Sequence, residues 1–174
     1  MGWMELIDDH RVFLIRLETD IWTEIGHGTL MSLDLLRPGE RERRPQFQQG
    51  DVLLLYHPQK DLPDSPPAEL SRVVAVRSEL SNDAGYGLGP VYRMVPPLTR
   101  ERLLFASQRG ILPDVFRRVD DRTFTFKLLT SDQRDQFVVY VLNAGIAMEV
   151  EEGKGGQPVP EPIGETPGVV EYEL

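Results

Sequence analysis

Unbroken apolar runs between polar stretches predict the strands of this chain. Arg11 to Leu17, Val52 to Tyr56, Ser71 to Ser78 and Val91 to Val95 are short and rich in β-branched, leucine or aromatic residues, a composition typical of strands. A run without polar alternation indicates a strand that is buried on both faces of its sheet. We therefore predict a sheet in which Val52 to Tyr56 is a central strand.

The second half of the chain carries the clearest helix signals. Thr130 or Ser131 is expected to cap a helix that ends before Asn143-Ala144-Gly145. Its apolar face is predicted to consist of Phe137, Val138, Val141 and Leu142. A second helix is predicted from Thr99 to about Gln108, with Gly110 as its stop. A short helix over Thr19 to Ile25, capped by Thr19 or Asp20, is also expected.

Proline, glycine and charged residues mark the connections. Arg37 to Pro45, Asp61 to Pro67 and Ser81 to Pro90 are predicted loops, because each contains residues that interrupt regular structure. Phe116 to Lys127 is predicted to be a small hairpin around Asp120-Asp121-Arg122. Residues 153–168 combine glycine, proline and glutamate with few apolar side chains, which indicates a segment without a core. Val169 to Tyr172 could add an edge strand.

Length and composition favour one domain with a tail. The chain has 174 residues, of which 40% are hydrophobic and 27% are charged, as is usual for a single globular domain. We assign residues 1–145 to the domain and 146–174 to an acidic tail. No apolar stretch of about 18 residues is present to span a bilayer, and the N-terminus does not resemble a secretory signal. With no cysteine, a soluble, cytoplasmic protein without a membrane partner is expected.

The charge is unevenly distributed. The formal net charge is −9, and from Glu149 onward seven glutamates oppose one lysine, so the tail supplies −6 and the body −3. An acidic protein is a poor ligand for phosphates, but the body itself is close to balanced. Sixteen of the nineteen basic residues are arginines, whose planar fork suits phosphate contacts, although genome composition also produces such a bias.

Four short motifs resemble the EVE branch of the PUA-like superfamily. Gln49-Gly-Asp-Val-Leu-Leu-Leu-Tyr56 is similar to its Gly-Asp strand, and Arg72 to Ser78 is similar to the strand that follows. Pro97-Leu-Thr-Arg-Glu-Arg-Leu103 resembles its short helix, and Leu128-Leu-Thr-Ser-Asp-Gln-Arg134 resembles the start of its closing helix. The likeness covers roughly residues 11–144. The Trp-Asp-Gly-Val-Arg-Asn type segment of that family has no counterpart here.

The resemblance implies a fold and a function. The fold class would be α+β and β-rich, a PUA-like curved sheet or small barrel with flanking short helices and an extended C-terminal tail. The function would be a non-catalytic binding module that recognises nucleic acid, plausibly through a modified base. A flipped base needs an aromatic face on which to stack and polar groups that contact its edge. The residues expected to line this site are Trp22, Tyr56, Tyr86, Tyr92 and Arg93.

Arginines in the second half of the body are candidates for phosphate contacts. Arg100, Arg102, Arg117 and Arg118 would track a DNA or RNA backbone if they share one surface. The alternative is that these arginines lie on the solvent-exposed surface of a helix and a hairpin and bind nothing. The sequence does not determine the oligomeric state.

Two other function classes stay open. A small hydrolase-like enzyme would draw on His27, His57 and Asp20, yet these residues, like His10, Asp8, Asp9 and Asp34, match no metal or catalytic spacing. A protein-interaction domain would instead act through its acidic tail.

Gly85-Tyr-Gly-Leu-Gly89 precedes a predicted strand and not a helix, which argues against a dinucleotide site and favours a loop or a lid. No metal and no cofactor are predicted.

Overall fold

A computed structural model describes residues 2–17, 29–30, 47–58, 67–79, 86–121, 124 and 126–151. The helices are α1 (Trp3–Asp9), α2 (Arg100–Gln108), a 3₁₀ helix (Asp114–Asp120) and α3 (Ser131–Ala144). The strands are β1 (Val12–Arg16), β2 (Thr29–Leu30), β3 (Val52–His57), β4 (Glu69–Glu79), β5 (Tyr86–Thr99), β6 (Phe126–Leu128) and β7 (Ala147–Val150). The predicted α+β class is confirmed.

One mixed sheet organises the described chain. Its strand order is β2-β5-β4-β3-β1-β6, and β7 also pairs with β5. The central pair β1 and β3 is parallel, with Val12 opposite Val52 and Arg16 opposite Tyr56. The other pairs are antiparallel. Within the described residues β6 does not pair with β2 or β7, so the sheet is open and the closed form of the expected barrel is not observed.

Both faces of the central strands are buried, as their continuous apolar sequences predict. All residues of β1 and β3 are buried. The helices cover one face, where Leu14 and Leu54 pack with Leu103, Phe116 and Phe137 in the larger core. The opposite face forms a second cluster, to which β1, β3, β4 and β5 contribute Phe13, Ile15, Leu53, Leu55, Val74, Val76, Leu88 and Val91. All the described helices contribute side chains to the larger core and none to the second cluster. Any binding surface formed by these helices therefore lies on the same side of the sheet as the larger core.

The Gly50-Asp51 pair has a structural explanation of its own. Gly50 has φ +96°, and a Cβ there would lie 2.6 Å from the His10 ring, so both backbone and space require glycine. The Asp51 carboxylate accepts a hydrogen bond from the backbone N–H of Gln48 at 2.7 Å and pairs with Arg11 at 2.6 Å. This bonding raises the pKa of Arg11. The turn therefore fixes the start of β3 without any ligand.

The two long helices begin where their caps predict. The Thr99 hydroxyl accepts from the Arg102 N–H, and the Thr130 hydroxyl accepts from the Gln133 N–H in a capping box. At its end, α3 passes into Gly145 with φ +71°, a left-handed stop. On α3, Phe137 and Val141 are buried as predicted, but Leu142 is exposed.

Several predicted elements need correction. Tyr86 to Pro90 belongs to β5 and not to a loop, since β5 continues through its prolines to Thr99, with irregular register against β4. The predicted hairpin is a 3₁₀ helix followed by β6, because Val115, Phe116 and Val119 bury one helical face. Helix α1 and strand β7 were not predicted.

The predictions for residues 19–25, 37–45, 61–66, 81–85 and 152–174 concern parts of the chain outside the described residues. The domain boundary at residue 145 stays a prediction.

Among the residues that the structure describes, no helix combines the length and the apolar character that crossing a bilayer requires.

Candidate functional site

The expected aromatic pocket residues do not converge on an opening in the described part of the chain. Tyr56 is 1% exposed and Tyr92 is also buried, and both rings lie in the larger core. Tyr86 lies at the start of β5, and Trp22 is outside the described residues. Tyr56 and Tyr92 therefore contribute to packing, and the stacking role predicted for this group is not carried by an exposed ring at either position.

Arg93 lines a shallow cleft on β4 and β5. The cleft has a volume of about 280 Å³ and is bordered by polar side chains of Glu69 and Ser71 together with Arg72 and Arg93. Arg72 and Arg93 are directly opposite in the strand register, which places their side chains on the same face. Two neighbouring guanidinium groups at a cleft would attract an anion if their charges were uncompensated.

Glutamates at and just after β7 compensate both cleft arginines. Glu151 receives two hydrogen bonds from Arg72, at 2.8 and 3.0 Å, and Glu149 receives one from Arg93 at 3.1 Å. A bidentate arginine–carboxylate contact is among the stronger ion pairs. The cleft therefore holds its own anions, and it does not favour a phosphate as it stands.

The four predicted phosphate arginines lie on two adjacent elements. Arg100 and Arg102 are on α2, and Arg117 and Arg118 are on the 3₁₀ helix, which contacts α2. Arg117 pairs with Asp114 at 2.9 Å, and the Arg118 guanidinium lies 5.6 Å from the centre of the Phe124 ring. Arg102 is exposed, and within the described chain no acidic side chain pairs with it.

A two-pronged ion pair joins the start of α2 to the end of the 3₁₀ helix. The Arg100 Nε and Nη2 donate to the two carboxylate oxygens of Asp120 at 2.6 and 2.7 Å. This hydrogen bonding lowers the pKa of Asp120 and raises that of Arg100. Because Arg100 is already engaged, it acts more as a clamp between the two helices than as a phosphate ligand.

A buried pair at the carboxyl ends of β1 and β3 holds the end of the 3₁₀ helix. Arg16 donates to the backbone carbonyl of Val119 and, at 3.3 Å, to that of Asp121. Its register partner Tyr56 lies beside it. Burial first, and then the Asp120 charge, raise the pKa of Tyr56 to about 12. The two hydrogen bonds of Arg16 thus fix the end of the 3₁₀ helix to the sheet.

The exposed face of α2 presents an aromatic ring between two arginines. The Phe105 side chain is 55% exposed, and the Arg109 guanidinium carbon lies 4.4 Å from the centre of its ring. Arg102 precedes Phe105 by three residues and Arg109 follows it by four, so the three side chains share one helix face. Arg109 also has no acidic partner in the described residues. We call Arg102, Phe105 and Arg109 the α2 surface.

Sequence reasoning missed Phe105, although a signal was present. Leu103, Leu104 and Phe105 are consecutive, and a helix cannot point three consecutive residues at one core. Leu103 and Ala106 are the residues that enter the core. Phe105 is therefore left on the solvent side of α2, where its ring contacts the Arg109 guanidinium.

The local charge differs from that of the whole chain. From Thr99 to Asp120 five arginines oppose Glu101, Asp114 and Asp120, which gives +2 in a protein whose net charge is −9. The ion pairs already described use Arg100 and Arg117. Arg102, Arg109 and Arg118 remain without an acidic partner in the described residues, and they supply the positive potential of this region.

The residues considered for catalysis are only partly described. The His57 Nε2 lies 3.8 Å from a carboxylate oxygen of Glu69, which borders the cleft, but His57 itself is buried. His10 contacts the Leu6 carbonyl at 3.0 Å, and Asp8 and Asp9 are exposed on α1. His27, Asp20 and Asp34 lie outside the described residues. The described side chains include no group of three or more metal-ligating residues.

No protein-family model matches this sequence, and no curated protein matches it significantly.

Proposed function

We propose that this chain is a non-catalytic binding domain for single-stranded nucleic acid and that the α2 surface is its contact site. The observation that carries the proposal is the exposed Phe105 ring with the Arg109 guanidinium 4.4 Å from its centre. Single strands are bound by aromatic rings on which bases stack and by cations that follow the backbone. Both elements are present on one helix face.

The geometry assigns separate roles to the three side chains. Phe105 offers the ring on which a base can stack. Arg102, about one turn earlier, and Arg109, about one turn later, are placed to neutralise adjacent phosphates. A helix face without a deep pocket has no groups that enclose a base, so it favours single-stranded nucleic acid of any base sequence. Recognition of a modified base, which the resemblance implies, would require an enclosing pocket and stays a prediction.

Titration of a fluorescent twelve-nucleotide oligo-dT or oligo-U, followed by anisotropy at several salt concentrations, tests the proposal. Phe105→Ala should weaken binding roughly fivefold or more, because one stacked base contributes about 1–3 kcal/mol. Phe105→Tyr should retain most of the affinity, because the ring is kept. Leu142→Ala, which truncates an equally exposed apolar side chain on α3, is the matched control and should bind as wild type does.

The salt dependence of binding distinguishes the phosphate contacts of the arginines from base stacking on the Phe105 ring. Arg102→Gln and Arg109→Gln should each lower the slope of log affinity against log salt by roughly 0.7, as expected for one phosphate contact on a single strand. Phe105→Ala should leave the slope unchanged. Equal affinities of wild type and Phe105→Ala would refute the proposal, and so would the absence of strand binding at low salt.

A further inference from the structure

A second helical surface, between α1 and α3, has the opposite charge. Helices α1 and α3 border a groove of about 330 Å³ that is lined by Met4, Glu5, Ile7, Asp8, Asp135, Val138 and Val139. We call it the α1–α3 groove. Arg134 fixes its two walls, because its guanidinium donates to the carbonyls of Ile7 and His10 at 3.1 and 2.6 Å.

The floor of the groove continues into exposed apolar surface. Met4 is 43% exposed, Val139 53% and Leu142 54%. On α3, Val139 and Leu142 follow Asp135 at spacings of four and seven residues, so they form an exposed stripe on the side of the helix turned away from the buried Phe137 and Val141. A helix that is already anchored by one apolar stripe needs no second one for its own fold. Such a surplus marks a contact surface for another molecule.

The rim of the groove is acidic, because Glu5, Asp8 and Asp135 line it. Helices α1 and α3 together contain five acids, Glu5, Asp8, Asp9, Asp132 and Asp135, against Arg134. That arginine is engaged with backbone carbonyls, and no basic side chain pairs with Asp8 or Asp135 among the residues that the structure describes. A partner must therefore bring positive charge as well as apolar side chains.

We propose that the α1–α3 groove binds a cationic amphipathic helix of a partner protein. Apolar side chains of such a helix, repeating every three or four residues, would occupy the groove over Met4 and Val139. Its lysines or arginines would face Asp8 and Asp135 at the rim. The charge of the groove excludes nucleic acid and disfavours a second copy of this acidic chain as occupant.

The test uses the full chain and a defined probe. A fluorescein-labelled fourteen-residue peptide of leucine and lysine, with leucines at helical spacing, is titrated with the protein, and a peptide of the same composition in shuffled order serves as the control. We expect saturable binding of the amphipathic peptide and at least fivefold weaker binding of the shuffled one, because the charge is equal and only the apolar face differs. Equal binding of both peptides would overturn the proposal.

Paired variants locate the binding surface. Val139→Asp should weaken peptide binding at least tenfold, because it places a charge in the apolar floor. Val150→Asp, at an exposed valine outside the groove, should leave affinity unchanged although it adds the same charge. Asp135→Asn should weaken binding roughly two- to fivefold, as expected for one exposed charge pair, and Asp114→Asn on the 3₁₀ helix should not.

Amide chemical shifts then identify the occupant. With the peptide, shifts should concentrate on α1 and α3. Shifts confined to residues 152–174 would show that the acidic tail binds the probe and would overturn the proposal. A concentration-dependent dimer without peptide, abolished by Val139→Asp, would assign the groove to a second copy of this chain and would likewise overturn it.

Discussion

Two helical surfaces on one face of the sheet share a core yet differ in charge and exposed chemistry. The region of α2 and the 3₁₀ helix carries +2 and exposes Phe105 between arginines, whereas α1 and α3 carry one arginine against five acids and expose Val139 and Leu142. Both regions send phenylalanines into the larger core. The difference shows that the core specifies where helices lie, while the residues left facing solvent determine what each side can bind.

The shared core is where the largest effect is expected. Phe116 from the 3₁₀ helix and Phe137 from α3 stack with ring centroids 5.6 Å apart, and both are fully buried. Phe137→Ala should lower the free energy of unfolding by roughly 3–5 kcal/mol, because a large cavity remains in a packed core. Urea unfolding at neutral pH measures the change.

Phe105→Ala on the α2 surface is the matched comparison. It should change the free energy of unfolding by less than about 0.5 kcal/mol, since an exposed position away from caps and cores tolerates substitution. A loss similar to that of Phe137→Ala would mean that Phe105 belongs to the core after all, and the two helical surfaces would then not differ in the way described.

Local signals predicted elements better than they predicted surfaces. Helix α3 was predicted from Thr130 and its apolar spacing, since a cap and a period are properties of neighbouring residues. The 3₁₀ helix was predicted as a hairpin, because Asp120-Asp121-Arg122 favours a turn and only the core reveals that Val115, Phe116 and Val119 face one way. The burial of these three side chains in the core therefore determines that the segment is helical.

The candidate site depended on contacts that no local pattern contains. Arg100 meets Asp120 twenty positions away, and Arg72 meets Glu151 seventy-nine positions away. Each of these arginines was equally available for phosphate by sequence. Arg102 differs from them because, among the described residues, no acidic side chain forms an ion pair with it.

A third prediction concerns Tyr56, which is buried beside Arg16 at the end of the 3₁₀ helix. The pKa of Tyr56 is raised from its ordinary value near 10 to about 12, so the neutral phenol contributes stability that is complete below pH 10 and is lost as pH rises through 12. This contribution corresponds to roughly 2–3 kcal/mol, because one pKa unit is about 1.4 kcal/mol. Tyr56→Phe removes the ionisation, and its unfolding free energy should fall less steeply over that interval. Parallel curves of wild type and variant would show that Tyr56 ionises equally in both states.

A smaller pH-dependent effect tests the clamp between α2 and the 3₁₀ helix. Arg100 lowers the pKa of Asp120, so the pair stabilises the fold above the ordinary carboxyl pKa, and this stability is lost as pH falls through the lowered value. Both side chains are partly exposed, and solvent screening limits the contribution to roughly 0.5–1 kcal/mol. Asp120→Asn should therefore be less stable than wild type at pH 7, and the difference should shrink as pH falls below the ordinary aspartate pKa of 3.8, as measured by urea unfolding.

The same variant frees Arg100 beside the α2 surface, and oligonucleotide affinity should rise a few-fold at low salt. Lower affinity would instead show that the clamp positions the α2 surface, and that the charge it withholds matters less than the geometry it maintains.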